Sequence, residues 1–318
     1  MGTGDLPAIF SRLAVASDPG DIRGAGMGGS RRVFSVFLAV TLSASACDPA
    51  PSGQDARSSA DAYHILVTND DGIESPGIQQ LAEALRAVGE VTVVAPCGQR
   101  SGSSMSVRLD LPIRLRPFEI EGEAWGHCVD TTPAGSVILA TQALAPTGGF
   151  DLVVSGINAG ANTGDLARMS GTVGAAMAGA YYGIPAVAAS LGGRSMDFGY
   201  PAEVVTRFVQ ELRARPSRPG TVFSINFPAA SEDQVAGIAA AGMGGSYLRL
   251  GYREVESENG VRVFQPRISP EDTFPPGSDT EAFMQGMITI AALRYDATDL
   301  DALEDLASWD LDGLLTGR

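Results

Sequence analysis

Short apolar runs alternating with stretches of helical spacing constrain this chain more than any other feature. Apolar runs fall at 63–68, 91–95, 152–155, 186–190 and 222–226. Between them, 76–88 places Ile78, Leu81, Ala82 and Leu85 on one helical face, with Pro76 suited to a first turn. A second helix is expected over 130–144, entered through Thr132 and Pro133. A third, 172–182, is small and alanine-rich and can pack closely on a sheet, and a fourth spans 202–213. Short buried strands separated by helices predict an α/β fold: a doubly wound, mostly parallel, Rossmann-like sheet. Residues 237–295 break the pattern. Glycines are frequent, Arg262-Val263-Phe264 alternates as a strand does, and 270–282 reads as loop before a closing strand at 287–291. The predicted organisation is a core over 63–235 and a β-rich extension over 236–318, whose acidic tail after Asp299 forms a short surface helix.

The N-terminal region belongs to neither. In 27–47, Arg31 and Arg32 precede a short apolar stretch, the small residues Ala44, Ser45 and Ala46 follow, and then comes Cys47. This is the layout of a secretory signal over 27–46. A cysteine placed so resembles the lipidated first residue of a bacterial lipoprotein, although Ala44 stands where leucine is usual. Residues 1–26 lie upstream with no part in this signal, and Met27 reads as the alternative start. The segment 47–62, rich in Pro, Ser, Ala and Asp, reads as a flexible tether. The expected location is a bacterial cell envelope, facing the periplasm and held to the membrane by lipid on Cys47 alone; the alternative is an uncleaved anchor or a mis-assigned start, the latter with a cytoplasmic protein.

Composition removes several function classes. A formal net charge of −15 argues against a nucleic-acid partner, because that affinity comes from basic patches. All 22 basic residues are arginine. The missing lysine excludes a Walker A loop and Schiff-base chemistry. Two histidines, His64 and His127, cannot make a three-histidine zinc site, and Cys47, Cys97 and Cys128 include no CxxC pair. A disulfide between Cys97 and Cys128 stays open at this level, since pairing depends on a separation that spacing does not give.

Ligands of open α/β sheets bind at the carboxyl ends of strands. Three polar segments fall there: 69–72 (Asn-Asp-Asp-Gly), 98–102 (Gly-Gln-Arg-Ser-Gly) and 155–160 (Ser-Gly-Ile-Asn-Ala-Gly). Their hard oxygen donors suit Mg²⁺, Mn²⁺ or Ca²⁺, and a divalent cation would turn the repulsion between adjacent Asp70 and Asp71 into coordination. A fourth segment joins 161–165 to Ser170-Gly171-Thr172 at a helix start, where free N–H groups and the helix dipole favour a phosphate.

In order along the chain, ILVTNDDGIESPGI, VVAPCGQRSGSSMS, DLVVSGINAGANTGD and SGTVGAAMAGAYYGIPAVAAS resemble the successive motifs of the SurE family, the survival-protein nucleotidases. The resemblance covers about 63–228, and DTEAFMQGMITIAAL is similar to the family's closing strand. It implies a SurE-like fold and hydrolysis of nucleoside 5′- and 3′-monophosphates with one divalent cation, Mg²⁺ or Mn²⁺, per subunit. Carried onto matching positions, it implies Asp70, Asp71, Ser101 and Asn158 as metal ligands. It also implies Asn162, Ser170, Gly171 and Thr172 as phosphate contacts. The expected catalytic pair is Asp70 and Asp71, with Asp70 as general base or as nucleophile. A homodimer or homotetramer built with the C-terminal extension is implied as well. Cys97, Thr131, Gly135, Ala161, Met169 and Ala178 depart from the family's usual residues around this set. Two other readings stand beside it: a general or polyphosphate phosphatase, and a non-catalytic, envelope-anchored phosphate or nucleotide binder.

Overall fold

A computed structural model describes residues 62–193, 197–215 and 217–316. The expected signal, Cys47 and the tether up to residue 61 lie outside the described residues. Among the described residues, no helix is long and apolar enough to cross a membrane.

The first half of the core runs β1 (His64–Thr68), α1 (Pro76–Leu85), β2 (Glu90–Pro96), β3 (Leu115–Ile120), β4 (Glu123–Val129) and α2 (Pro133–Ala143). The second half runs β5 (Leu152–Ala159), α3 (Gly171–Tyr181), β6 (Ala186–Leu191), α4 (Gly199–Ala214) and β7 (Thr221–Phe227). Then follow β8 (Ile238–Ala240), β9 (Leu248–Glu258), β10 (Val261–Pro270), α5 (Asp279–Met284), β11 (Ile288–Arg294), α6 (Leu300–Ala307) and α7 (Leu311–Thr316).

Nine strands form one sheet in the order β3-β4-β2-β1-β5-β6-β7-β11-β8. The six from β4 to β7 are parallel, whereas β3 pairs antiparallel with β4, and β11 with β7. Helices cover both faces. Ile65 and Val67 of β1 point to the side covered by α1 and α4, where Ile78, Leu81, Leu85, Val205 and Val209 pack. Leu66 points the other way, toward Val137 and Ala140 of α2 and Val173 and Ala176 of α3. Every residue of β6 is therefore buried, as a strand covered on both faces requires. The small residues of α3 let it lie close to the sheet: a Cβ added to Gly179 would come within 2.7 Å of the Val153 side chain.

Three differences from the sequence-based expectations have local causes. The β3–β4 hairpin is absent from the sequence reading because β3 is mostly exposed and mixes Arg116, Pro117 and Glu119 with its apolar residues. The helix expected from 130 begins at Pro133, since Thr132 is its cap: Thr132 Oγ1 accepts from Gly135 N at 3.1 Å. The expected loop over 270–282 ends in a helix, α5, which Ser278 caps by accepting from Glu281 N at 3.1 Å. The extension is only partly separate. Strands β8 and β11 join the main sheet, while among the described residues β9 and β10 pair only with each other. The acidic tail forms two short helices rather than one.

Candidate active site

The chain adds β2 and β4 on one side of β1, then returns to place β5, β6 and β7 on the other. The crevice between the carboxyl ends of β1 and β5 is thus a topological switch point, where such sheets bind ligands. Asn69, fully buried, shapes the turn that enters it. Its amide donates to Gly72 O at 2.9 Å and to Ser75 Oγ at 2.8 Å.

Asp70 and Asp71 follow, and each is tied to a different element. Asp70 is 3% exposed, and Thr172 Oγ1 at the start of α3 donates to its Oδ1 at 2.5 Å. Its backbone carbonyl accepts from Arg100 N at 2.6 Å, which fixes the loop after β2. Asp71 Oδ2 accepts from Ala159 N at the end of β5, 2.9 Å away. Burial pushes the Asp70 carboxyl above the ordinary carboxylate range; the Thr172 bond opposes this and the Asp71 charge adds to it. Burial also pushes Asp71 up, against the Ala159 N–H and the Gln99 side chain. Among the described residues, neither carboxylate forms an ion pair with an arginine or histidine.

The other predicted residues gather around this pair to different degrees. Asn158, half-buried, uses its amide N–H on Gly160 O at 2.6 Å, which leaves its side-chain oxygen free to accept a cation. Ser170 Oγ caps α3 by accepting from Val173 N at 3.2 Å, and its O–H stays available as a donor. Asn162 is engaged farther along the sheet edge: its side chain donates to Ser190 Oγ at 2.9 Å, and its backbone N–H donates to Asn226 Oδ1 at 2.7 Å. Thr172 contacts the Asp70 carboxylate directly, although the sequence reading assigned it to phosphate alone. Ser101 is exposed on its loop.

Ser103, which the sequence reading passed over, shares with Asp70 the space beside Gly171. A Cβ on Gly171 would lie 2.6 Å from Ser103 Oγ and 2.8 Å from Asp70 Oδ2. Only glycine lets the first turn of α3 come this close. Ser103 Oγ is buried and has no hydrogen-bond partner among the described residues. The repeated serines of RSGSSMS were the one available signal, and nothing in that string tells the exposed serine from the buried one.

The 161–165 segment is held from the far end of the chain. Buried Asp279 accepts from Gly164 N through Oδ2 and from Gly244 N through Oδ1, both at 3.0 Å. Asp165 N donates to Gly245 O at 2.7 Å, and Tyr247 Oη donates to Ala161 O at 3.0 Å.

Among the described residues, no cluster of three or more His, Cys, Asp or Glu side chains is placed to hold a metal. A cation here would instead take two carboxylates, the Asn158 amide oxygen and a serine hydroxyl. That donor set is all oxygen, and it includes one hydroxyl with no other partner. It fits a hard divalent ion.

Known proteins resemble this chain in sequence and fold. The family model described as Survival protein SurE matches residues 65–249. A protein of Stenotrophomonas maltophilia (strain R551-3) named 5′-nucleotidase SurE is 40% identical over 252 residues, covering 77% of this chain and 95% of that relative. One of the same name from Halorhodospira halophila is 37% identical over 262 residues, covering 79% and 99%. The crystal structure of SurE protein from Aquifex aeolicus superposes with a TM-score of 0.65 at 29% identity, covering 76% of this chain and 98% of that one.

Proposed function

The chain belongs to the SurE family, and from that premise we propose that it is a metal-dependent phosphomonoesterase that releases phosphate from nucleoside 5′- and 3′-monophosphates. The observation that carries the reading is the adjacent pair of buried Asp70 and half-buried Asp71, forming no ion pair with a basic side chain among the described residues and lying at a switch-point crevice beside the N-terminal end of α3. A divalent cation, Mg²⁺ or Mn²⁺, bound there would balance the pair and polarise the phosphoryl group. Asp70, Asp71, Asn158 and a serine of the 101–103 loop would hold it. The free N–H groups of the first turn of α3, with the Ser170 hydroxyl, meet the phosphate oxygens. Thr172 links the two functions, because its hydroxyl orients the carboxylate while its backbone lies in the anion-binding turn. Asp70, positioned by that bond, accepts a proton from the attacking water or attacks directly.

The experiment is phosphate release from 5′-AMP, 3′-AMP, p-nitrophenyl phosphate and polyphosphate, with Mn²⁺ or with chelator. Turnover of the nucleotides that vanishes on chelation is expected; a preference for polyphosphate would reject the substrate class. Ser103→Ala tests the crevice further. Loss of one preorganised hydroxyl is expected to lower kcat for AMP by about 10²-fold, with the circular-dichroism spectrum unchanged.

Two properties belong to the same proposal. The protein is exported and lipid-anchored at Cys47; the bond between Cys97 and Cys128 described by the structure supports this, since disulfides persist in oxidising compartments. Membrane fractionation of wild type and Cys47→Ser tests it, with the variant expected in the soluble fraction. The protein also assembles as a homodimer or homotetramer. The β9–β10 hairpin supports this, because it stands outside the main sheet with Tyr252, Val263, Phe264 and Ile268 exposed, and an isolated hairpin is marginal in water. Light scattering of wild type and a Tyr252→Glu/Phe264→Glu variant tests it, with the variant expected to shift toward monomer.

A further inference from the structure

The bond between Cys97 and Cys128 sits where the loop that lines the crevice begins. Cys97 directly follows the last residue of β2, and from there the chain meets the site step by step. Just before it, Pro96 O accepts from Ile73 N at 3.0 Å, which holds the turn carrying Asp70 and Asp71. A Cβ on Gly72 would lie 3.1 Å from the Gly98 backbone. Arg100 N donates to Asp70 O, and Ser103 Oγ shares with Asp70 the space beside Gly171. The other end of the loop is tied to the same stretch as Cys128: Thr132 Oγ1 donates to Ser106 O at 2.5 Å. Segment 128–132 thus clasps the loop at both ends. Its own attachment is thin. Among the described residues β4 pairs with β2 only at His127, Cys128 and Val129, and its other neighbour, β3, is the edge of the sheet. Opening the disulfide leaves few bonds to hold the clasp.

The surroundings of the two sulfurs suit exchange with an external thiol. Both cysteines are half-buried, outside the apolar core. Arg116 Nη1 donates to Cys97 Sγ at 3.4 Å. That guanidinium is fixed in place by Asp130, with Nη1 on Oδ1 at 3.0 Å and Nη2 on Oδ2 at 2.8 Å. A positive group against one sulfur stabilises it as a thiolate and makes it the better leaving group. The geometry therefore gives exchange a direction, with attack at Cys128 and departure of Cys97.

We propose that the Cys97–Cys128 pair is a thiol-exchange site that switches the crevice: closed, it keeps Ser103 beside Asp70; opened by an external dithiol, it frees the 98–106 loop and weakens cation binding. A thiolate of the dithiol attacks Cys128 Sγ, the S–S bond breaks, and its electron pair leaves on Cys97 Sγ beside Arg116. The second thiol of the reagent then attacks its own sulfur in the mixed disulfide and releases Cys128, and protons from the reagent end on the two cysteines. The dithiol is oxidised to a cyclic disulfide as the protein disulfide is reduced, and a disulfide oxidant reverses the exchange. The switch rests on the metal-dependent reading of the crevice and adds a control to it.

The test measures Mn²⁺ affinity and kcat/KM for AMP at room temperature in three forms. These are the oxidised wild type, the wild type reduced with dithiothreitol and freed of it under nitrogen, and the Cys97→Ser/Cys128→Ser double variant. Groups that orient a metal's ligands are worth about 10–100-fold in affinity. The reduced and double-variant proteins are expected to bind Mn²⁺ about tenfold more weakly, with kcat/KM lowered in step and the circular-dichroism spectrum kept. Oxidised glutathione should restore the reduced wild type and leave the double variant unchanged. Arg116→Gln should slow reduction by dithiothreitol roughly threefold, with AMP turnover of its oxidised form unchanged. Equal Mn²⁺ affinity in the oxidised and reduced proteins, a reduced protein that has lost its fold, or an unchanged reduction rate in Arg116→Gln would overturn the switch. An oxidised wild type that binds Mn²⁺ but leaves AMP intact would reject the nucleotidase reading instead, and the affinity ratio would still decide the switch.

Discussion

Asp70→Asn is expected to abolish turnover and, at the same time, to raise the melting temperature of the metal-free protein at neutral pH. Burial holds the Asp70 carboxyl above its ordinary range. A group whose folded pKa is raised contributes stability that is fully present below its unfolded pKa and is lost as pH rises through the folded value. At pH 7 the metal-free wild type therefore carries a buried anion that destabilises it. Asparagine removes that charge and keeps an oxygen to accept the Thr172 hydroxyl. If the gain is about 1 kcal/mol, the variant melts about 2–4 °C higher. The difference should vanish at a pH below the ordinary carboxylate range, where aspartate is neutral in both states. Mn²⁺ should raise the wild-type midpoint and leave the variant unmoved, while AMP turnover falls by at least about 10³-fold. A variant that melts lower than wild type at neutral pH, or that keeps its activity, would show that the pair is not a charge held ready for a cation.

Reduction of the Cys97–Cys128 bond is expected to have the largest effect on stability. The cysteines are 31 residues apart, with Cα atoms 4.7 Å from each other. Closing a loop of this length in the unfolded chain contributes about 3–4 kcal/mol. At about 2–4 °C per kcal/mol, reduction or Cys97→Ser lowers the melting temperature by roughly 10 °C. The bond ties the end of β2 to β4, where Ala95 already faces Cys128 and Cys97 N donates to Val129 O at 3.1 Å. Residue 98, at the root of the loop carrying Ser101 and Ser103, follows directly. Reduction should therefore also make cleavage within 98–114 by added protease faster. Free-thiol titration and peptide mapping without reductant check the bond itself. Two titratable thiols in the purified, unreduced protein, with an unchanged midpoint on reduction, would rule it out.

Those two sites also mark how far the sequence could be read. The core strands were legible because strands buried on both faces are nearly continuously apolar, as β6 is except for Ser190. The closing strand was legible from its apolar first half; it starts one residue later than expected and runs on to Arg294, its second half partly exposed. β3 was not, because an edge strand can tolerate exposed charge and a proline. Asp70 and Asp71 stood out as like charges after an apolar run, an arrangement costly enough to need a reason. Ser103 did not, because its burial comes from a glycine 68 positions later pressing α3 against its loop. The cysteine pairing depends equally on tertiary placement, since β2 and β4 become neighbours only through a hairpin that the sequence conceals.

Asp279 gives the site a place in the order of synthesis. A ribosome that has delivered residues up to Ala240 has already made Asp70, Asp71, Ser103, Asn158 and Thr172. The segment beside them still lacks the carboxylate that holds Gly164, which arrives 115 positions after it. β8 likewise has no partner until β11 emerges, because β11 is its neighbour in the sheet. Contacts of such long range form late. The nascent chain thus carries every reactive side chain before it carries an ordered site, and hydrolytic competence arrives with the last quarter of the polypeptide.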